Sequence, residues 1–255
     1  MEEEKKAEFD KNLHTYQTIE AKPVYLPDDY YFFKQPLYKR ILNKIIMLFV
    51  TIFSQLVGRI RFGFKIKGKK NLKNIKGAII VANHIHPFDA FMLATSFYPR
   101  RVFVTMLQTN LGLPGGKVIR LVGGIPIPDR KNLLERFMKE MAYTLEKKHQ
   151  LVTIYPEAAL IPYCDHIREF KKGAFKFACM SDVPIIPMVW TFHKPRGLYK
   201  LFKKKPTLHL TVLKPYTITK CERKVETVDK ALNEVHQIME DFFNQNNEVS
   251  YTPEK

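Results

Sequence analysis

Asn83, His84, His86 and Asp89 fall within the seven residues "NHIHPFD". Three kinds of chemistry are open to that set. An imidazole held at one nitrogen by a carboxylate keeps the other nitrogen free to take a proton from a hydroxyl, so His84 with Asp89 reads as a general base and its orienting partner. His84, His86 and Asp89 together read as HxHxxD, the beginning of a zinc site of the metallo-hydrolase kind, with further ligands drawn from His149, His166, His193 or His209. Pro87, and the lack of a histidine directly after Asp89, weigh against the metal. The third reading makes Asn83 and Asp89 helix caps and the two histidines bystanders. This segment alone leaves all three standing.

The elements around the segment decide whether the side chains meet. The apolar run "GAIIVA" is a buried strand ending at Asn83, and Pro87 suits the first position of a helix that must stop before Pro99. On one continuous helix, residues five apart would be about 140° apart. With His84 in the loop and Asp89 in the first helical turn, the chain can fold the two together at the carboxyl end of a strand, where open α/β sheets bind ligands. Beyond Gly77, strands are predicted at 78–82, 101–106, 151–155, 184–190 and 207–213, and helices at 87–98, 113–121, 132–148, 172–181 and 226–243. That alternation is the mark of an α/β domain with a largely parallel or mixed central sheet flanked by helices. In "NLLERFMKEMAYTLEKK" the stripe Leu133, Phe137, Met141 and Leu145 recurs at helical spacing and belongs to the core.

Ahead of this domain lie two other regions. Residues 1–35 form an N-terminal arm whose "KPVYLPDDYYFF" packs extended on something else. Residues 36–60 form one helix with 13 mostly apolar residues at its centre, Ile45 to Val57, against the roughly 20 that spanning a bilayer needs. This reads as an interfacial or re-entrant docking helix, with a buried core helix as the alternative. The α/β domain itself occupies 61–250.

Charge supports docking. The net charge of +17 draws the chain toward polyanions, whether nucleic acid, anionic lipid or phosphorylated metabolites. Residues 59–76 carry eight cations and no acid, the pattern of a segment seated on an anionic leaflet. A second acid-free stretch, 183–221, is either a similar surface or a solvated face. The three cysteines lack disulfide or zinc-knuckle spacing, and "MEEEKKAEFDKNLH" has no apolar signal region. The expected location is therefore the cytosol or the cytoplasmic face of a membrane, peripheral or re-entrant.

Three later stretches break the tie at the histidines. "GGIPIPDR" joins a glycine pair to a short strand and ends in Asp129 and Arg130; "YPEAAL" ends a strand at Pro156 and Glu157; "VPIIPMVW" sets prolines around another strand. With these the chain resembles the glycerophospholipid acyltransferase family, which includes the lysophosphatidate (1-acylglycerol-3-phosphate) acyltransferases. His84 and Asp89 match its His, four residues, Asp block, with Asn83 ahead of them. Gly124 to Arg130 match the second block, Pro156 and Glu157 the third, and Val183 to Val189 the fourth.

The resemblance implies transfer of a fatty acyl group from coenzyme A or acyl carrier protein to a glycerol hydroxyl, with His84 as base, Asp89 holding it, and no acyl-enzyme, metal or further cofactor. It implies substrate contacts from Asn83, Gly124, Arg130, Pro156 and Glu157, and partners that are anionic membrane lipids and the acyl thioester, with no nucleic acid. The chain departs from the family in the third block, where Ala158, Ala159 and Leu160 replace Gly, Thr and Arg, and in "VTMLQTNL", which lacks the family's lysine. Either phosphate recognition passes to Arg130, Arg168, Lys171 or Lys172, or the acceptor is not lysophosphatidate. The remaining alternatives are a metal-dependent hydrolase and a non-catalytic basic lipid- or nucleic-acid-binding protein.

Overall fold

The computed structural model describes residues 22–33 and 37–250; most of the arm, and Pro36 where the docking helix is expected to open, lie outside them. In chain order the elements are α1 (Leu37–Phe62), β1 (Lys65–Lys67), β2 (Ala78–Ala82), α2 (Asp89–Thr95), β3 (Val102–Leu107), α3 (Gly116–Leu121) and β4 (Gly124–Ile127). They continue with α4 (Lys131–Glu146), β5 (Leu151–Ile154), α5 (Gly173–Met180), β6 (Ile185–His193), α6 (Tyr199–Phe202), β7 (Thr207–Val212) and α7 (Lys224–Asn246).

The seven strands form one sheet in the order β1-β7-β6-β2-β5-β3-β4. The five from β6 to β4 are parallel, while β7 runs antiparallel to β6 and carries β1 parallel to itself. The chain moves from β2 to β3 and β4 in one direction and from β4 to β5 and β6 in the other. Right-handed crossovers in opposite directions put α2 and α3 on one face and α4 and α5 on the other. All five residues of β2 are buried, as a central parallel strand covered on both faces requires.

The differences from the sequence reading have local causes. The helix after the histidines starts at Asp89 rather than Pro87, because Ile85 and His86 give their N–H groups to the Asp89 carboxylate instead of to a helical turn. The next helix starts at Gly116, since Gly115 is left-handed with φ 86°. The strand β1, whose pattern of exposure is too short to show alternation, is hidden in what reads as a run of cations.

The described part of the arm, residues 22–33, has no regular structure, turns at 28–29 where the Tyr30 N–H donates to the Pro27 carbonyl, and packs on α4. Leu26 and Phe32 are buried, Phe32 meets the Phe137 ring edge-on at 5.3 Å, and the N–H groups of Phe32 and Phe33 donate to Glu140 Oε2 at 3.1 and 2.9 Å.

Helix α1 sorts its residues in the unusual direction. Asn43, Met47, Ser54 and Gly58 are buried against the domain, while Ile41, Ile45, Phe49, Ile52, Phe53, Leu56 and Ile60 are exposed. Gln55 Nε2 donates to Thr95 Oγ1 at 3.0 Å and Ser96 Oγ at 3.2 Å, and Thr95 Oγ1 donates to Ser54 Oγ at 3.2 Å. Ser54 and Gln55, two of the polar residues that shorten the apolar run, are therefore bonded to α2. The stretch Ile41–Phe62, 22 residues whose most apolar 18 have a mean hydropathy of 1.8, is long and apolar enough to cross a membrane by length and composition. At 1.5 Å per residue it measures about 33 Å, against about 20 Å for the run from Ile45 to Val57 alone.

Candidate active site

Adjacent strands β2 and β5 end side by side where the crossovers diverge, a switch point of the kind that leaves a crevice at the carboxyl ends. Asn83 closes β2. Its side-chain amide donates to the Trp190 carbonyl at 3.1 Å and accepts from the Trp190 N–H at 2.8 Å, so it continues the ladder to β6 and fixes the exit of the strand. It is buried and faces away from the crevice, a structural tie in place of the expected substrate contact.

The next residue is His84, whose backbone N–H donates to Glu157 Oε2 at 3.2 Å. Its Nδ1 stands 2.9 Å from Asp89 Oδ2. That oxygen also accepts the N–H groups of Ile85 at 2.8 Å and His86 at 3.1 Å, while Oδ1 accepts the Tyr155 hydroxyl at 3.0 Å. With four donors converging, a fully buried carboxylate has only acceptor sites to offer, so His84 carries its proton on Nδ1 and presents a lone pair at Nε2. The Tyr155 ring stacks on the imidazole at 4.1 Å between centroids.

This geometry separates the readings that the sequence left open. The N-cap of α2 is Phe88, with no side-chain cap, so Asp89 holds the loop before the helix rather than capping it. His86 turns away from His84: its Nδ1 accepts the Phe88 N–H at 3.1 Å and its ring meets Phe62 at the end of α1, 4.7 Å between centroids. Burial pushes its pKa down, against a smaller opposing pull from Asp89. Among the described residues the trio whose metal-type ligand atoms converge is Cys164, Asp165 and His166, and not His84, His86 and Asp89.

A cavity of about 520 Å³ opens at His84 and runs under α1. Its walls are mainly apolar, with Met47 and Val50 of α1, Phe91 of α2, Met106 of β3 and Ile119 of α3 among them. Gly124, Pro156 and Lys171 also line it, and Lys171 is the single charged side chain on its wall among the described residues. A Cβ on Gly124 would stand 2.7 Å from Ile119 Cγ2 and 2.8 Å from its carbonyl oxygen, so the glycine is required where α3 packs over β4.

The other candidate residues lie off the cavity wall. Glu157 is buried and bridges the two blocks: Oε2 takes His84 N–H and Arg168 Nη2 at 2.6 Å, and Oε1 takes Arg168 N–H at 3.2 Å. Burial raises its carboxyl pKa, and Arg168 partly offsets this. Arg168 also donates to the Ala159 carbonyl, so the pair braces the loop after β5. Lys172 pairs with Asp229 of α7 at 2.6 Å. Arg130 is engaged by the arm: it pairs with Asp28 at 2.8 Å, donates to the Tyr25 hydroxyl at 2.6 Å and to the Leu26 carbonyl, and lies over the Tyr25 ring. Sequence reasoning passed over Tyr155, though a tyrosine just before Pro156 and Glu157, where the family block has phenylalanine, was a visible signal.

Residues 63–191, from the end of α1 into β6, match the family model described as Acyltransferase. Over 148 residues the chain is 28% identical to the 1-acyl-sn-glycerol-3-phosphate acyltransferase beta of Homo sapiens, covering 58% of this chain and 52% of that protein. A probable 1-acyl-sn-glycerol-3-phosphate acyltransferase of Mycoplasma pneumoniae is 31% identical over 140 residues, 48% of this chain and 50% of that protein. The chain thus spans about half the length of these curated relatives. The crystal structure of the 1-acyl-sn-glycerophosphate acyltransferase of Thermotoga maritima has the same fold, with a TM-score of 0.59 at 18% identity over 86% of both chains.

Proposed function

Because the chain belongs to the acyltransferase family, we propose that it moves a fatty acyl group from the thioester of coenzyme A or acyl carrier protein to a glycerol hydroxyl of a lysophosphatidate-class acceptor. The observation that carries this reading is His84, held at Nδ1 by a buried Asp89 and open at Nε2 on a mainly apolar cavity. Nε2 takes the acceptor hydroxyl proton as its oxygen attacks the thioester carbonyl carbon. The tetrahedral intermediate then collapses, the carbon–sulfur bond breaks, and the thiolate leaves with the proton that His84 returns. A base positioned in this way contributes about 10²- to 10⁴-fold.

The cavity suits the acyl chain, since each buried methylene stabilises its complex by about 0.8 kcal/mol. Lys171, beside the amino end of α5 where Gly173 leaves open space, is the cation placed to meet the acceptor phosphate. Arg130 instead clamps the arm, and Glu157 with Arg168 holds the loop that brings Tyr155 onto His84. The outward apolar face of α1 seats the cavity mouth on a membrane at its cytoplasmic face.

The test is release of free thiol from acyl-CoA by the purified chain with lysophosphatidate and a panel of other lysophospholipids. Release with lysophosphatidate that disappears in His84→Ala and Asp89→Asn supports the reading. No acceptor giving release above those variants would sink it.

A further inference from the structure

The loop "KPRGLYKLFKKKP", residues 194–206, joins β6 to β7 and holds six cations and no acid. Its apolar side chains have no cover: Leu198 is 75% exposed, Leu201 81% and Phe202 66%. Yet the loop is fixed in place at the carboxyl end of α1. The Tyr199 hydroxyl donates to the Arg59 carbonyl at 2.6 Å, and Lys203 Nζ donates to the Arg61 carbonyl at 2.5 Å. Both carbonyls belong to the last turn of α1, and Arg59 also accepts the Gly63 N–H at 3.0 Å. Gly63, the turn out of α1, lies against Thr207 where the loop ends. The segment carrying the exposed leucines and phenylalanine is thus anchored at the carboxyl end of α1, whose outward apolar face ends at Ile60.

Apolar tips alternating with lysine are matched to one surface, the headgroup region of an anionic leaflet, which accepts hydrocarbon below and cations above. We infer that residues 197–205 are a second membrane anchor: Leu198, Leu201 and Phe202 enter the interface beside the end of α1, and Lys200, Lys204 and Lys205 meet lipid phosphates. This inference rests on the membrane reading of α1. Two separate contacts on one rigid body fix the rotation of the domain about α1, which a single helix leaves free. That rotation sets the direction in which the cavity mouth faces.

The experiment uses the full chain carrying Leu201→Trp, an exposed position, against a background of the single native Trp190, which is fully buried. Vesicles of phosphatidylcholine and phosphatidylglycerol with brominated acyl chains should quench the new indole and shift its emission to the blue. Replacing Lys200, Lys204 and Lys205 together by Gln should lower vesicle pelleting roughly tenfold, in a salt-sensitive manner. Pelleting with an unquenched indole would overturn this inference and leave α1 as the anchor. No pelleting at all would overturn both. Quenching-independent blue shift on adding acyl carrier protein without vesicles would assign the loop to a protein donor and overturn the lipid assignment.

Discussion

At the His84–Asp89 corner four donors converge on one buried carboxylate, and a single imidazole nitrogen is left with an unused lone pair. In α1 Ser54 and Gln55 are bonded across to α2, and nine large apolar side chains from Ile41 to Ile60 look outward. In both regions buried polar side chains are tied to a neighbouring element. They differ in what remains unsatisfied: a proton acceptor at the corner, hydrocarbon on the helix. The first suits a polar reactant entering an apolar cavity; the second is the kind of uncovered apolar face that marks a membrane or protein contact.

If the two regions divide the work in this way, a change in one should leave the other's property intact. His84→Ala should lower turnover by about 10²- to 10⁴-fold in the thiol-release assay, with vesicle pelleting unchanged. A joint loss would mean that the corner and the helix are not separable. The double change Phe49→Ser with Phe53→Ser should do the reverse, cutting pelleting by roughly tenfold while the melting temperature and turnover of a short-chain, water-soluble donor and acceptor hold. At the corner, Tyr155→Phe keeps the stack on His84 and removes one bond to Asp89. A fall of roughly fivefold in kcat with KM unchanged is expected, and an unchanged kcat would reduce Tyr155 to packing.

Two smaller effects concern the loop that braces the corner. Burial raises the pKa of Glu157, so the folded chain keeps a proton there at pH values where the unfolded chain has lost it. Its contribution to stability is then complete below the unfolded pKa and fades as pH rises through the folded one. The native chain should therefore lose stability relative to Glu157→Gln on going upward from about pH 4.5, and a native chain that gains on the variant would reverse the assignment. Ala158 sits at φ 59°, a left-handed conformation that costs a residue with a Cβ about 1 kcal/mol. Ala158→Gly should raise the melting temperature by about 2–4 °C, and a lower melting temperature would count against strain there.

The sequence made His84 and Asp89 legible because their partnership is local: a strand end, a turn and a helix start within seven residues, all set by pattern and proline. The strands β2, β3, β5, β6 and β7 and the longer helices were legible for the same reason, whereas their order in the sheet and the short helix α6 were not. Arg130 was not, since its partners Tyr25, Leu26 and Asp28 lie about a hundred positions away in an arm without regular structure. Asn83 was misplaced because an asparagine at a strand end reads the same whether it faces a ligand or, as here, the Trp190 main chain. In α1, counting an unbroken apolar run penalised Ser54 and Gln55, whereas only three-dimensional packing reveals that their polarity is directed inward.

The cavity that begins at His84 and ends under Met47 and Val50 of α1 has a kinetic consequence. If reactants reach it by sliding in the plane of the leaflet, the chain samples a two-dimensional pool. Rates should then follow the mole fraction of acceptor within the surface and fall when inert lipid is added at constant bulk acceptor. Membrane composition, rather than total substrate, would set its working speed.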